Sequence, residues 1–137
     1  MKTILIIEDD IGIQKQLKWS LSDYELVFAQ DRASALTQLR RYEPEVVTLD
    51  LGLPPDPANA SEGLACLNDI LALKPNCKVI VITGNTDTEH ALKAIALGAY
   101  DYYQKPVDPE VLNIILGRAF KISALEIENR ALKSANL

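Results

Sequence analysis

Three runs of aliphatic and β-branched residues, Ile4-Leu5-Ile6-Ile7, Val46-Val47-Thr48-Leu49 and Val79-Ile80-Val81-Ile82, constrain this chain more than any other feature. Each is short and almost free of polar alternation, which is how a strand reads when both of its faces are covered. Strands of that kind belong to a parallel sheet with helices above and below it. The intervening stretches supply those helices: Ile13, Leu17 and Leu21 recur at helical spacing, and so do Leu64, Leu67 and Leu71. Two weaker strands, Glu25 to Ala29 and Tyr100 to Gln104, bring the number to five. The second mixes aromatic with polar residues, as an edge strand does.

The punctuation between elements agrees. Asp31 is placed to cap the helix carrying Leu36 and Leu39, with Pro44 just past its end. Thr86 with Glu89 fits a capping box, and Gly98 closes that helix. Asp108-Pro109 reads as N-cap and first residue of a last helix running to about Lys133, some 37 Å at 1.5 Å per residue. Five strand–helix units without a second block of strands imply an α/β, doubly wound, five-stranded parallel sheet with right-handed crossovers and an extended C-terminal helix. Two segments depart from short-loop economy: Leu51 to Ser61, which contains Pro54-Pro55-Asp56-Pro57, and that long last helix.

Composition narrows the partners. With 137 residues the chain is the size of one domain, and 14 Lys and Arg against 19 Asp and Glu give a net charge of -5. An acidic balance argues against direct contact with nucleic acid or anionic lipid. No apolar run approaches a membrane span, the start does not read as a signal peptide, and Cys66 and Cys77 suit neither a disulfide scaffold nor a zinc site. A cytoplasmic, reduced environment is the expectation.

The chemistry gathers where strands end. The first ends in Glu8-Asp9, the third in Asp50, the fourth in Thr83-Gly84 and the fifth in Lys105-Pro106. Carboxyl ends of strands in such a sheet lie side by side at the ligand-binding edge. Taken alone, Glu8 or Asp9 reads more simply as a solvated loop end or a helix cap, and Asp10 fits a cap best. Together, three carboxylates repel unless a cation is present, and Mg²⁺ prefers such oxygen ligands. Lys105 adds positive charge and Thr83 a hydroxyl donor. A carboxylate nucleophile, a cation site and donors for anionic oxygens are what phosphoryl transfer onto an aspartate requires.

These motifs resemble those of the receiver domains of bacterial two-component response regulators. Ile4 to Asp10 resembles the first strand and acidic pair, and Val46 to Pro54 the phosphoacceptor strand. Val81-Ile82-Thr83-Gly84 and Gly98 to Pro106 resemble the remaining two motifs. The resemblance spans about residues 1–120 and implies a flavodoxin-like strand order 2-1-3-4-5, with 121–137 continuing the last helix as a linker. It implies that Asp50 accepts the phosphoryl group from a sensor histidine kinase. Asp9, Asp50 and the carbonyl of Gly52 would bind Mg²⁺, with Glu8 acting mainly through water. Lys105 and the Gly84 N–H would contact the phosphoryl group, Thr83 and Tyr102 would form the switch pair, and the Lys105–Pro106 bond would be cis. The family also implies an output module beyond this chain, often an AAA+ ATPase that activates transcription, followed by a DNA reader.

Two departures stand out. The first acid is Glu8 where many members have Asp, and the loop between Pro54 and Gly63 is longer than usual. That insert resembles the receivers of regulators associated with the PEP-CTERM and exosortase system. At the chain end, a heptad with a at Ile115, Ile122 and Asn129 and d at Arg118, Leu125 and Leu132 fits a short coiled coil, hence a homodimer. His90 reads as an exposed helical residue, Trp19 as part of the first helix, Cys66 as a small buried or half-buried residue and Cys77 as a loop thiol. Two other functions stay open: a receiver-like docking module that is never phosphorylated, and a small-molecule phosphatase. The second lacks an acid two residues after Asp50, where Gly52 stands.

Overall fold

In the computed structural model, residues 1–55, 60–84 and 88–135 are described. The elements alternate without exception: β1 (Thr3–Ile7), α1 (Ile11–Ser20), β2 (Glu25–Ala29), α2 (Arg32–Tyr42), β3 (Val46–Asp50), α3 (Ser61–Leu73), β4 (Lys78–Thr83), α4 (Thr88–Leu97), β5 (Asp101–Gln104) and α5 (Pro109–Ala135). The five strands form one sheet in the order β2-β1-β3-β4-β5, every pair parallel. Both weak strands are edges, and the three apolar runs are the interior strands.

Strand alternation divides the core in two. Leu5, Ile7, Val47, Leu49, Val79 and Val81 face one side, with Leu39 from α2 and Leu67 and Ile70 from α3. Ile4, Ile6, Val46 and Ile80 face the other, with Leu17 and Leu21 from α1 and Leu112, Leu116 and Phe120 from α5. Each interior strand is covered twice, which is why it reads as an unbroken apolar run.

The helix signals hold where they can be followed. The Asp31 side chain accepts from the Ser34 N–H while the Ser34 hydroxyl accepts from the Asp31 N–H, a reciprocal capping box. Asp108 accepts from the Glu110 N–H at 3.0 Å, and Gly98 takes φ +115° after α4. Thr86 lies outside the described residues, as does the middle of the 51–61 loop. The two ends of that loop are anchored in the core: Leu51, Leu53 and Ala60 are buried, while Pro54 and Pro55 are exposed, and Gly63 packs so closely on Leu51 that an added Cβ would lie 2.4 Å from the Leu51 carbonyl oxygen.

The last helix differs from the expected heptad in one respect. Ile115, expected at a coiled-coil core position, is half-buried against its own sheet. The outward large apolar residues are Val111, Ile114, Ile122, Leu125, Ile127 and Leu132. Past Phe120 the helix still touches the domain: Ser123 is buried, and the Lys78 ammonium meets both carboxylate oxygens of Glu126, at 2.9 and 2.6 Å. His90 is half-buried rather than exposed, whereas Trp19 is 86% exposed on α1. Cys66 is buried and Cys77, though in a loop, is buried too, so loss of solvation pushes both thiols up to about 12. No helix among the described residues is long and apolar enough to cross a membrane.

Candidate functional site

The strand order reverses direction between β1 and β3: the chain leaves β1 towards β2 on one side and β3 towards β4 on the other. Neighbouring connections diverge there and leave a crevice at the carboxyl edge. Glu8-Asp9 follows β1 directly, and Asp50 is the last residue of β3. The register places Ile7 beside Leu49, so the residues that follow stand at one level. A ligand oxygen from each of Glu8, Asp9 and Asp50 lies within 4.8 Å of the others.

Local structure fixes each acid. The Asp10 carboxylate accepts from the Gly12 and Ile13 N–H groups at 2.8 and 3.2 Å, starting α1 immediately after the acidic pair. Glu8 is buried and its Oε2 accepts from the Asp10 N–H at 3.3 Å. Asp50 is buried as well, with Oδ1 accepting from the Gly52 N–H at 3.0 Å, while Asp9 is exposed. Lys105 comes from the far side of the edge, after β5, where its N–H donates to the Thr83 carbonyl and its peptide bond to Pro106 is cis. Its ammonium lies 3.2 Å from Asp50 Oδ2 and 3.6 Å from Glu8 Oε1.

The charges do not balance within the protein. Burial, and then the adjoining Asp50 carboxylate, holds the Glu8 carboxyl well above the ordinary carboxylate range, against the pull of Lys105 and the Asp10 N–H. For Lys105, burial favours the neutral amine, but Asp50 and Glu8 outweigh it and raise its pKa. With one ammonium for three neighbouring acids, Glu8 takes up a proton readily, and a bound cation would favour its ionised form. Among the described residues no donor hydrogen-bonds the buried Glu8 Oε1, which the Lys105 ammonium approaches only to 3.6 Å. This hard-oxygen set, with a buried oxygen left free to accept, fits Mg²⁺.

The remaining residues of interest stand at the same edge. Thr83 ends β4; it is buried, and its hydroxyl has no hydrogen-bond partner among the described residues, an arrangement that costs about 1–3 kcal/mol unless an acceptor arrives. Gly84 is exposed, and a Cβ there would meet nothing within 4 Å. Tyr102 lies on β5 opposite Val81, its residue 36% exposed. Sequence reasoning missed one contact. The Gln14 amide N–H, reaching back from α1, donates to the Glu8 carbonyl. Helical placement one turn past the acidic pair is the only hint the sequence holds of it.

A doubly wound sheet bearing an acidic crevice at its switch point, with a lysine against the acids and a buried threonine ending the next strand, defines a receiver-type signalling domain. The chain belongs to the response regulator receiver domain family, which it matches over residues 4–116. It is 34% identical over 119 residues to a protein-glutamate methylesterase/protein-glutamine glutaminase of Rhodospirillum rubrum, covering 83% of this chain and 30% of that protein. It is 29% identical to the regulatory protein AtoC of Escherichia coli, covering 96% of this chain and 28% of that protein. The crystal structure of NtrX from Brucella abortus in complex with ADP superposes with a TM-score of 0.87 at 33% identity, covering 96% of this chain and 30% of that one. The chain therefore spans less than a third of the length of these two curated relatives. It is a receiver domain of the response regulator type, close to those of NtrX and AtoC.

Proposed function

We propose that Asp50 accepts a phosphoryl group from the phosphohistidine of a sensor kinase and that the resulting acyl phosphate switches an output domain beyond this chain. The observation that carries this reading is the buried Asp50 carboxylate, held 3.2 Å from the Lys105 ammonium within the acidic cluster. An ionised carboxylate oxygen attacks phosphorus, the P–O bond forms as the P–N bond breaks, and the imidazole nitrogen keeps the electron pair. No general base is needed. Lys105 offsets charge on the transferring oxygens, while the Thr83 hydroxyl and the Gly84 N–H donate to them. Glu8, Asp9, Asp50 and the Gly52 carbonyl would hold Mg²⁺, with Glu8 acting mainly through a bound water. When bound, the ion supplies positive charge beside the phosphoryl oxygens.

The switch follows from Thr83 gaining an acceptor. As its hydroxyl turns towards the phosphoryl oxygens, the space it leaves admits the Tyr102 ring, altering the surface of α4, β5 and α5. The output is transcriptional, an AAA+ module in the manner expected from the motifs, and DNA is contacted by that part and not by this acidic domain. A second copy pairs along the outward stripe of α5, which includes Ile122, Leu125, Asn129 and Leu132. The site of action is the cytoplasm. Borohydride reduction of the phosphorylated chain, followed by peptide mapping, tests the assignment: conversion at Asp50 alone supports it, and conversion at another carboxylate contradicts it.

A further inference from the structure

The two acids that follow β1 are joined by a single peptide plane, and the carbonyl of that plane belongs to Glu8. The β1 ladder to its neighbours ends at Ile7, so the Glu8 carbonyl lies beyond the sheet. The Glu8 N–H still donates to the Ala29 carbonyl at 2.9 Å, which fixes one side of the residue to β2. The other side is held by a side chain: the Gln14 amide donates to the Glu8 oxygen across six positions. Gln14 is itself fixed by α1, because its N–H donates to the Asp10 carbonyl at 3.0 Å and Asp10 caps the helix.

The direction of the Glu8 carbonyl is set by ψ of Glu8, the same dihedral that sets the course of the chain to Asp9; with the Glu8 N–H anchored on β2, a change in that dihedral would shift the Asp9 side chain relative to Glu8 and Asp50. The convergence of Glu8, Asp9 and Asp50 within 4.8 Å therefore depends on a group that is not itself an acid. We infer that Gln14 is a positioning residue for the Mg²⁺ site, holding the Glu8–Asp9 peptide in the orientation that lets both acids face Asp50. This rests on the reading of the acidic cluster as a Mg²⁺ site. Partners one step removed from a metal commonly set its affinity by about tenfold or more.

The test is calorimetric titration of Mg²⁺ into the chain, with the thermal midpoint of each metal-free protein measured alongside. Gln14→Leu keeps the side-chain bulk and removes the donor; Mg²⁺ affinity should fall about tenfold while the metal-free midpoint stays close to that of the parent. Gln14→Glu is the sharper variant. Its added negative charge would by itself tighten cation binding, whereas loss of the donor against the Glu8 carbonyl should weaken it. Weaker binding in both variants supports the inference. Gln14→Leu binding within twofold of the parent, or Gln14→Glu binding more tightly than the parent, overturns it. Failure of the parent chain to bind Mg²⁺ would instead remove the metal-site reading and the inference with it, so the two failures are told apart by the unsubstituted protein.

Discussion

Lys105 Nζ lies 3.2 Å from Asp50 Oδ2 although the two residues stand 55 positions apart, and no other lysine or arginine among the described residues is paired with Asp50 or Glu8. One ammonium thus serves both as counter-charge for the resting cluster and as the group that faces an incoming phosphoryl oxygen. These duties separate on substitution. Lys105→Met leaves a more negative pocket, so Mg²⁺ should bind about three- to tenfold more tightly. Phosphorylation by acetyl phosphate should nevertheless slow by about a hundredfold, because the fixed cation is lost where charge develops. Titration calorimetry and a phosphorylation time course read the two effects independently.

Gly63 is needed for contact rather than for its backbone angles. A Cβ there would sit 2.4 Å from the carbonyl oxygen of Leu51 and 2.5 Å from its Cα, and backbone cannot move aside as a flexible side chain would. Gly63→Ala should cost about 3 kcal/mol, read as a lowered urea midpoint with little change in slope.

The capping box at the start of α2 gives a pH-dependent test. Backbone and hydroxyl donation from Ser34 holds the Asp31 carboxyl below its ordinary 3.8. A carboxyl whose pKa is lowered in the folded state stabilises the fold above its unfolded pKa, and that contribution is lost as the pH falls through the folded value. Asp31→Ala should cost about 1 kcal/mol at neutral pH. The gap between parent and variant should narrow as unfolding is measured from pH 5 downwards through pH 3.

The Lys78–Glu126 pair should matter more than its surface counterpart. Lys78 is only 14% exposed at the side chain, whereas Lys74 and Glu43 pair with side chains 37% and 66% exposed. Glu126→Ala should destabilise the domain by about 1 kcal/mol, and Lys74→Ala by less than about half of that. Chemical denaturation of the two variants checks the order. It also tests whether the last helix belongs energetically to the domain beyond residue 120.

Sequence pattern carried the sheet and the acceptor edge because both depend on strand ends, and a strand end is visible wherever an apolar run meets an acid. Asp50 after Val46–Leu49 and Glu8-Asp9 after Ile4–Ile7 are legible for that reason. What was not legible depends on where a side chain turns in three dimensions. Gln14 reaching the Glu8 carbonyl, Gly63 lying on Leu51 and Glu126 returning to Lys78 are contacts between elements that no local spacing encodes. Ile115 departs from its heptad position for a related reason. Adjacent positions on a helix are about 100° apart, so Ile114 and Ile115 differ enough in direction for one to face solvent and the other the sheet.

The central claim is that Asp50 is the phosphoryl acceptor and that the acidic cluster makes acceptance Mg²⁺-dependent. Intact mass after incubation with acetyl phosphate tests it most directly, comparing the parent chain with and without Mg²⁺ and with Asp50→Asn. The account predicts a single phosphoryl adduct on the parent chain that requires Mg²⁺ and is absent from Asp50→Asn. An adduct that persists in Asp50→Asn, or no adduct on the parent chain with Mg²⁺ present, would contradict it and leave a docking domain that signals without phosphorylation.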